Sequence, residues 1–225
     1  VAGWMVAGFV HGVLNTDNFN ITGESFDYGP WRFLPHFDPG FTAAYFDQTG
    51  RYAYGRQPSA AMWALCRLAD CFVPTVDSEV LAETLSGFYS SMERNLARRL
   101  SWRLGLEGTD DEASQLSALV FEAARASQIS WDRLFHELYG GQRPDEFADS
   151  SWRNSAELAK LADYASSLSS RQTKTAIQAV RAAPIISLEI DVVERIWAPI
   201  AASDDWSEFT QSLKDIRAFG QRLRA

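Results

Sequence analysis

Residues 11–30 read HGVLNTDNFNITGESFDYGP, and the rest of the chain is best understood outward from them. Asn15, Asp17, Asn18, Asn20 and Asp27 crowd into this one stretch, with Glu24 at a turn. Asp17 and Asn18 are adjacent, in a loop entered from an apolar segment. FNITGESF reads as a short β-hairpin, with Phe19 and Ile21 on one arm, a turn at Thr22-Gly23-Glu24-Ser25, and Phe26 on the return. A chain folded back in this way returns Asp27 to the neighbourhood of Asn18. One carboxylate and one amide oxygen would then converge, with the Asp17 carboxylate beside them.

Phosphoryl and nucleotidyl transfer call for such a set. Magnesium prefers oxygen ligands and is usually held by one or two carboxylates together with substrate phosphates. Asn18 offers a neutral oxygen and Asp27 a charged one, which leaves Asp17 to orient an attacking hydroxyl or take its proton. General-base help of this kind is worth roughly a hundred- to ten-thousand-fold in rate. Protein kinases use the same logic in H-R-D-x-x-x-x-N followed by D-F-G. His11 and Asn18 keep that spacing and Asp27-Tyr28-Gly29 stands in the D-F-G place, but the kinase aspartate position is Val13. An ordinary kinase assignment fails there.

The eight residues HGVLNTDN, followed by FDYGP, FDPGF and RYAYGRQP, resemble the selenoprotein O family of kinase-like protein adenylyltransferases. The resemblance is dense over about residues 3–75. It continues more weakly to about Gly140, through RNLARRLSWRLGLEG and SWDRLFHEL, and is not recognisable from residue 141 onward. It implies a mainly α (α+β) fold: the C-terminal lobe of a kinase-like fold over 1–140, with a β-hairpin at the catalytic loop, and a helical extension over 141–225. It further implies that ATP binds in a flipped orientation, and that AMP moves to Ser, Thr or Tyr hydroxyls of other proteins. By resemblance Asp17 is the proton acceptor, Asn18 and Asp27 hold magnesium (or manganese), and Asp27 also contacts the nucleotide.

The 225 residues are enough to bury roughly 70–75% of the unfolded surface as one domain. A net charge of −8 argues against a nucleic-acid partner, which would want a basic stripe. It does not argue against ATP, since the metal brings positive charge. VAGWMVAGFV at 1–10 is apolar but too short for a membrane span, which needs about twenty residues; a buried helix feeding the loop fits better. Cys66 and Cys71 read as buried free thiols in a reducing cytoplasm. The three histidines are too dispersed for a zinc set. No glycine-rich lid or phosphate-pairing Lys accompanies the loop, so the sequence reads as the C-terminal half of an active site, partnered by an N-terminal lobe of the same protein and inactive by itself.

Prolines and glycines punctuate residues 31–58, a region of turns with a second hairpin around Asp47-Gln48-Thr49-Gly50. From Ser59 to Val73, Met62, Leu65, Ala69 and Phe72 form one stripe of a buried helix, which Pro74 stops. One long helix is expected from Asp77 to Leu104 with Leu81, Leu85, Phe88, Met92, Leu96 and Leu100 inward. Thr109-Asp110-Asp111-Glu112 opens a helix to about Ala126, and its acids are a charged first turn before they are a metal site. Ser130 caps a shorter helix. After a polar linker at 142–154, helices are expected at about 155–168, 171–182, 187–201 and 204–223, with a break at SSLSS. The competing readings are a kinase-like pseudoenzyme and a helical nucleotide- or partner-binding module without transfer activity.

Overall fold

A computed structural model describes residues 1–142, 152 and 154–223. The described residues are mainly helical, with two small antiparallel sheets of two strands each. They divide into two compact units, one of residues 1–34 and 38–99, the other of residues 35–37 and 100–225. Residue 140, the boundary expected from sequence, lies inside the second unit.

In the first unit, helix α1 (Ala2–Ala7) is shorter than the expected helix over 1–10. Gly8 ends it in the left-handed conformation at φ 73°, and its N–H reaches back to the Met5 and Trp4 carbonyls. Phe9 and Val10, good strand formers, then make strand β1 (Phe9–Val10) instead of another helical turn. Strand β2 (Arg32–Phe33) pairs with it antiparallel, Phe9 opposite Phe33 and Val10 opposite Arg32. This ladder closes the base of a loop that holds the whole 11–31 segment. Gly12 makes the closure possible: its φ is +85°, and a Cβ there would meet Pro30 Cγ at 2.8 Å.

The region after β2 forms turns, as its composition indicates. Gly50 N–H bonds the Asp47 carbonyl at 3.1 Å, and the Asp47 carboxylate accepts from Arg51 and Tyr52 N–H at 2.8 Å each. The expected second hairpin is replaced by two backbone bonds, Tyr54 N–H to Phe41 and Gly55 N–H to Pro39, both 2.9 Å. Helix α2 (Gln57–Asp70) starts with Pro58 in its first turn, where a missing N–H costs nothing. Its apolar stripe is not buried as expected: Leu65 and Phe72 are open to solvent, and so is the Cys71 thiol. The long helix expected from Asp77 is two, α3 (Ser78–Ser86) and α4 (Phe88–Arg103), divided at Gly87, the residue with the least helical preference in that span. The Asp77 side chain caps α3 through Glu79 N–H at 2.8 Å.

The second unit carries a conventional core. Strand β3 (Leu106–Glu107) leads into helix α5 (Asp110–Ser127), which opens with a full capping box between Thr109 and Glu112. The acidic first turn serves the helix, as its sequence suggests. Helix α6 (Trp131–Glu137) follows, then helix α7 (Ala156–Ser167) and strand β4 (Ser169–Ser170), which pairs with β3. The expected break at SSLSS is present: the helix ends at Ser167 and the last two serines form β4. Helices α8 (Lys174–Arg181), α9 (Ile190–Ser203) and α10 (Ser207–Arg222) complete the unit. Most of the 142–154 linker lies outside the described residues.

Helices α5 and α7 pack against each other, and Leu116 and Val120 of one and Leu158 and Leu161 of the other are fully buried. Each such side chain contributes roughly 1.5–3 kcal/mol of transfer free energy. Arg103 pairs with Asp132 at 2.6 Å and lies over the Phe135 ring at 4.0 Å, a cation at a helix C-terminus with two further partners. Gly141, at φ +70°, leaves a Cβ only 2.4 Å from the Ala165 carbonyl oxygen. Gly141→Ala is therefore expected to destabilise the chain by at least about 2 kcal/mol, read as a lower urea midpoint at unchanged slope. An unaltered midpoint would mean that α7 is not held against this turn.

Candidate active site

The sequence folds residues 18–26 back on themselves, though not at the expected corner. Gly23 N–H bonds the Asn20 carbonyl at 2.9 Å, so the tight turn is Asn20–Gly23, with Gly23 at φ +87°. Ile21, expected on a strand arm, sits at the corner and is 73% exposed. Phe19 and Ser25 form a single antiparallel bridge, flanked by Asn20 N–H to the Glu24 carbonyl at 2.8 Å and Phe26 N–H to the Asn18 carbonyl at 3.3 Å. The turnback is real but too short to count as a β-ladder.

Thr16–Asn18 is one 3₁₀ turn, with Asp17 in it and exposed. Asn18 is buried, and its Nδ2 donates to the Val13 carbonyl at 2.7 Å. That bond fixes the amide plane and leaves Oδ1 as the free end. The Phe26 N–H bond sets Phe26 against Asn18, so the backbone returns the residue before Asp27 to residue 18. Asp27 itself is exposed and holds φ 59°, a left-handed conformation uncommon for a residue with a Cβ. Asn15 contributes its carbonyl to the Asn18 N–H at 3.2 Å, and Asn20 belongs to the turn.

His11 forms the floor of this loop and is fully buried. The Val13 N–H points at Nδ1 from 3.4 Å, and Nε2 lies 3.1 Å from the Phe26 carbonyl. A carbonyl only accepts and an amide N–H only donates, so the proton sits on Nε2 and the ring is neutral. Burial lowers its pKa below the ordinary histidine value. The Phe26 carbonyl and the Asp27 carboxylate pull the other way with less effect. The ring lies among Trp4, Phe9 and Tyr28, at centroid distances of 5.8, 6.4 and 5.2 Å. The Tyr28 hydroxyl is tied to Ser25, at 2.7 Å from Oγ and 3.0 Å from the carbonyl.

A residue that sequence inspection passed over completes the floor. Gln57, at the start of α2, is fully buried; its Oε1 accepts from His11 N–H at 3.0 Å and its Nε2 donates to the Phe9 carbonyl at 2.9 Å. The backbone groups leave only one orientation for that amide. A lone Gln before Pro carries no signal of burial, so only its place in RYAYGRQP marked it.

Among the described residues no three His, Cys, Asp or Glu side chains gather as a metal cluster. Asn18 and Asp27 each carry an oxygen of the kind magnesium takes, with phosphates and water as its usual further ligands. No helix among the described residues is long and apolar enough to cross a membrane.

The family described as protein adenylyltransferase SelO matches residues 1–217, and the chain belongs to it. The family relationship thus runs through most of the region after residue 141, where the sequence carries no recognisable motif. Among its relatives is the protein nucleotidyltransferase YdiU of Synechocystis sp., 34% identical over 241 residues, covering 97% of this chain and 49% of the relative. The YdiU protein of Trichormus variabilis is also 34% identical, over 98% of this chain and 49% of its own length. That of Vibrio parahaemolyticus is 38% identical over 138 residues, 61% of this chain. The chain spans about half the length of the first two relatives.

Proposed function

We propose that this chain carries the catalytic loop of a magnesium-dependent protein adenylyltransferase, which moves AMP from ATP to Ser, Thr or Tyr hydroxyls of proteins. The observation that supports this reading is the backbone bond from the Phe26 N–H to the Asn18 carbonyl, one residue before Asp27, in a chain of this family. Asn18 Oδ1 and the Asp27 carboxylate would hold the ion, whose positive charge would offset that of the phosphates. Asp17, exposed on the adjoining turn, takes the proton of the acceptor hydroxyl as its oxygen bonds to the α-phosphorus. The bond from the α-phosphorus to the bridging oxygen breaks, and pyrophosphate leaves with the electron pair. The buried His11 and Asn18 side chains hold the loop backbone still while this happens.

The active unit in this reading is a longer polypeptide. The half that the relatives have in addition supplies groups for the ATP phosphates, and the catalytic loop of this chain belongs to a kinase-like lobe. The free thiols of Cys66 and Cys71 suit a reducing, cytoplasmic setting. Incubating the full-length polypeptide and an acceptor protein with ATP labelled in the α-phosphate should leave label on the acceptor. ATP labelled in the γ-phosphate should leave none. The reverse pattern would make the protein a kinase and overturn the reading.

A further inference from the structure

Asp27 is held in a backbone conformation that an L-residue adopts at a cost, so something in the surrounding structure must hold it there. The peptide unit entering Asp27 contains the Phe26 carbonyl and the Asp27 N–H in one plane, and φ of Asp27 is the rotation about the bond leaving that plane. Two bonds orient this region. The Phe26 N–H binds Asn18, and the Phe26 carbonyl receives the His11 Nε2–H at 3.1 Å. On the far side of Asp27, the Tyr28 ring lies against His11 and its hydroxyl is tied to Ser25. His11 is thus the common support of the residues before and after Asp27.

His11 is in turn set by a group far along the sequence. The Gln57 carboxamide bridges the His11 N–H and the Phe9 carbonyl, spanning the peptide units around Val10. Gln57 Nε2 also lies 3.5 Å from Met5 Sδ, so both ends of the amide are occupied. Gln57 is fully buried, and its amide holds the Phe9 and His11 backbone beside the Met5 sulfur.

We propose that Gln57 is a positioning residue for the metal-holding oxygen of Asp27, acting through His11 and the Phe26 carbonyl. This rests on the proposed magnesium role of Asp27 and extends it to a residue thirty positions away, in another segment. A displaced Asp27 binds the ion less tightly but leaves the chemistry available once the ion is supplied in excess.

The test uses the full-length polypeptide, with ATP binding and transfer measured across a magnesium titration. In the parent protein, magnesium should tighten ATP binding; if it does not, the proposed function itself fails, whatever Gln57 does. Gln57→Met keeps the volume and removes both hydrogen bonds. It should raise the half-saturating magnesium concentration about tenfold, with kcat largely recovered at saturating magnesium. A magnesium requirement equal to that of the parent would overturn the proposal. If Gln57→Met does not fold, a His11 pair decides the matter. His11→Phe keeps the ring but loses the donor to Phe26, and it should show the same tenfold shift; His11→Gln retains an N–H at a comparable reach and should stay near the parent. Equal behaviour of those two variants would show that the Phe26 bond carries no positioning.

Discussion

Asp27→Gly in the full-length polypeptide should abolish the magnesium-dependent part of ATP binding and reduce transfer by at least roughly a hundred- to a thousand-fold, the cost typical of removing a group aimed at transition-state charge. The same substitution should leave the fold no less stable. At φ 59° the native side chain pays for a left-handed backbone, and glycine does not. The unfolding midpoint of the 225-residue chain should therefore hold or rise by up to about 1 kcal/mol equivalent, against glycine's greater freedom when unfolded. This opposition separates a functional residue from a structural one, because a residue kept for stability loses both together. Isothermal titration with and without magnesium, beside urea unfolding, reads the two effects. Retained magnesium-dependent transfer would remove Asp27 from the site.

Asp17→Asn should lower kcat by roughly a hundred- to ten-thousand-fold while magnesium–ATP affinity stays within about twofold. The amide preserves the shape of the side chain and loses only the capacity to accept a proton. Asp17 is exposed on a 3₁₀ turn in which the next residue, Asn18, is buried, so the two adjacent residues face different surroundings. That difference suits a division of labour, with Asn18 built into the loop and Asp17 open to an incoming hydroxyl. Single-turnover kinetics measure the chemical step, and nucleotide titration measures binding. Equal losses in both would make Asp17 a binding residue and leave the proton without an acceptor.

Where the chain turns back could be read only approximately. Gly23 signals a turn, but three neighbouring frames place it equally well. Only the pairing of Phe19 with Ser25 selects Asn20–Gly23 as the corner. The helix opening at Asp110 was legible to within a residue, because Thr109 and Glu112 satisfy each other locally and need nothing from the rest of the chain. The helix over 1–10 was overextended for the opposite reason. Apolar composition does not distinguish a helical turn from a strand whose partner is β2, and Gly8 shows its stop only through its φ. The apolar stripe of α2 was likewise visible, but periodicity states which residues share a face and not whether anything covers that face.

By itself the sequence determined the chemistry on offer: two carboxylates and an amide in one loop, a turn between them, and motifs dense enough to mark a family. Those are properties of neighbouring residues, set by side-chain type and short-range backbone preference. The tertiary structure decided which groups support that loop. Gln57 meets His11 across forty-six positions because β1 and the start of α2 come together in three dimensions, and a buried hydrogen bond over that separation leaves no periodic trace in the chain.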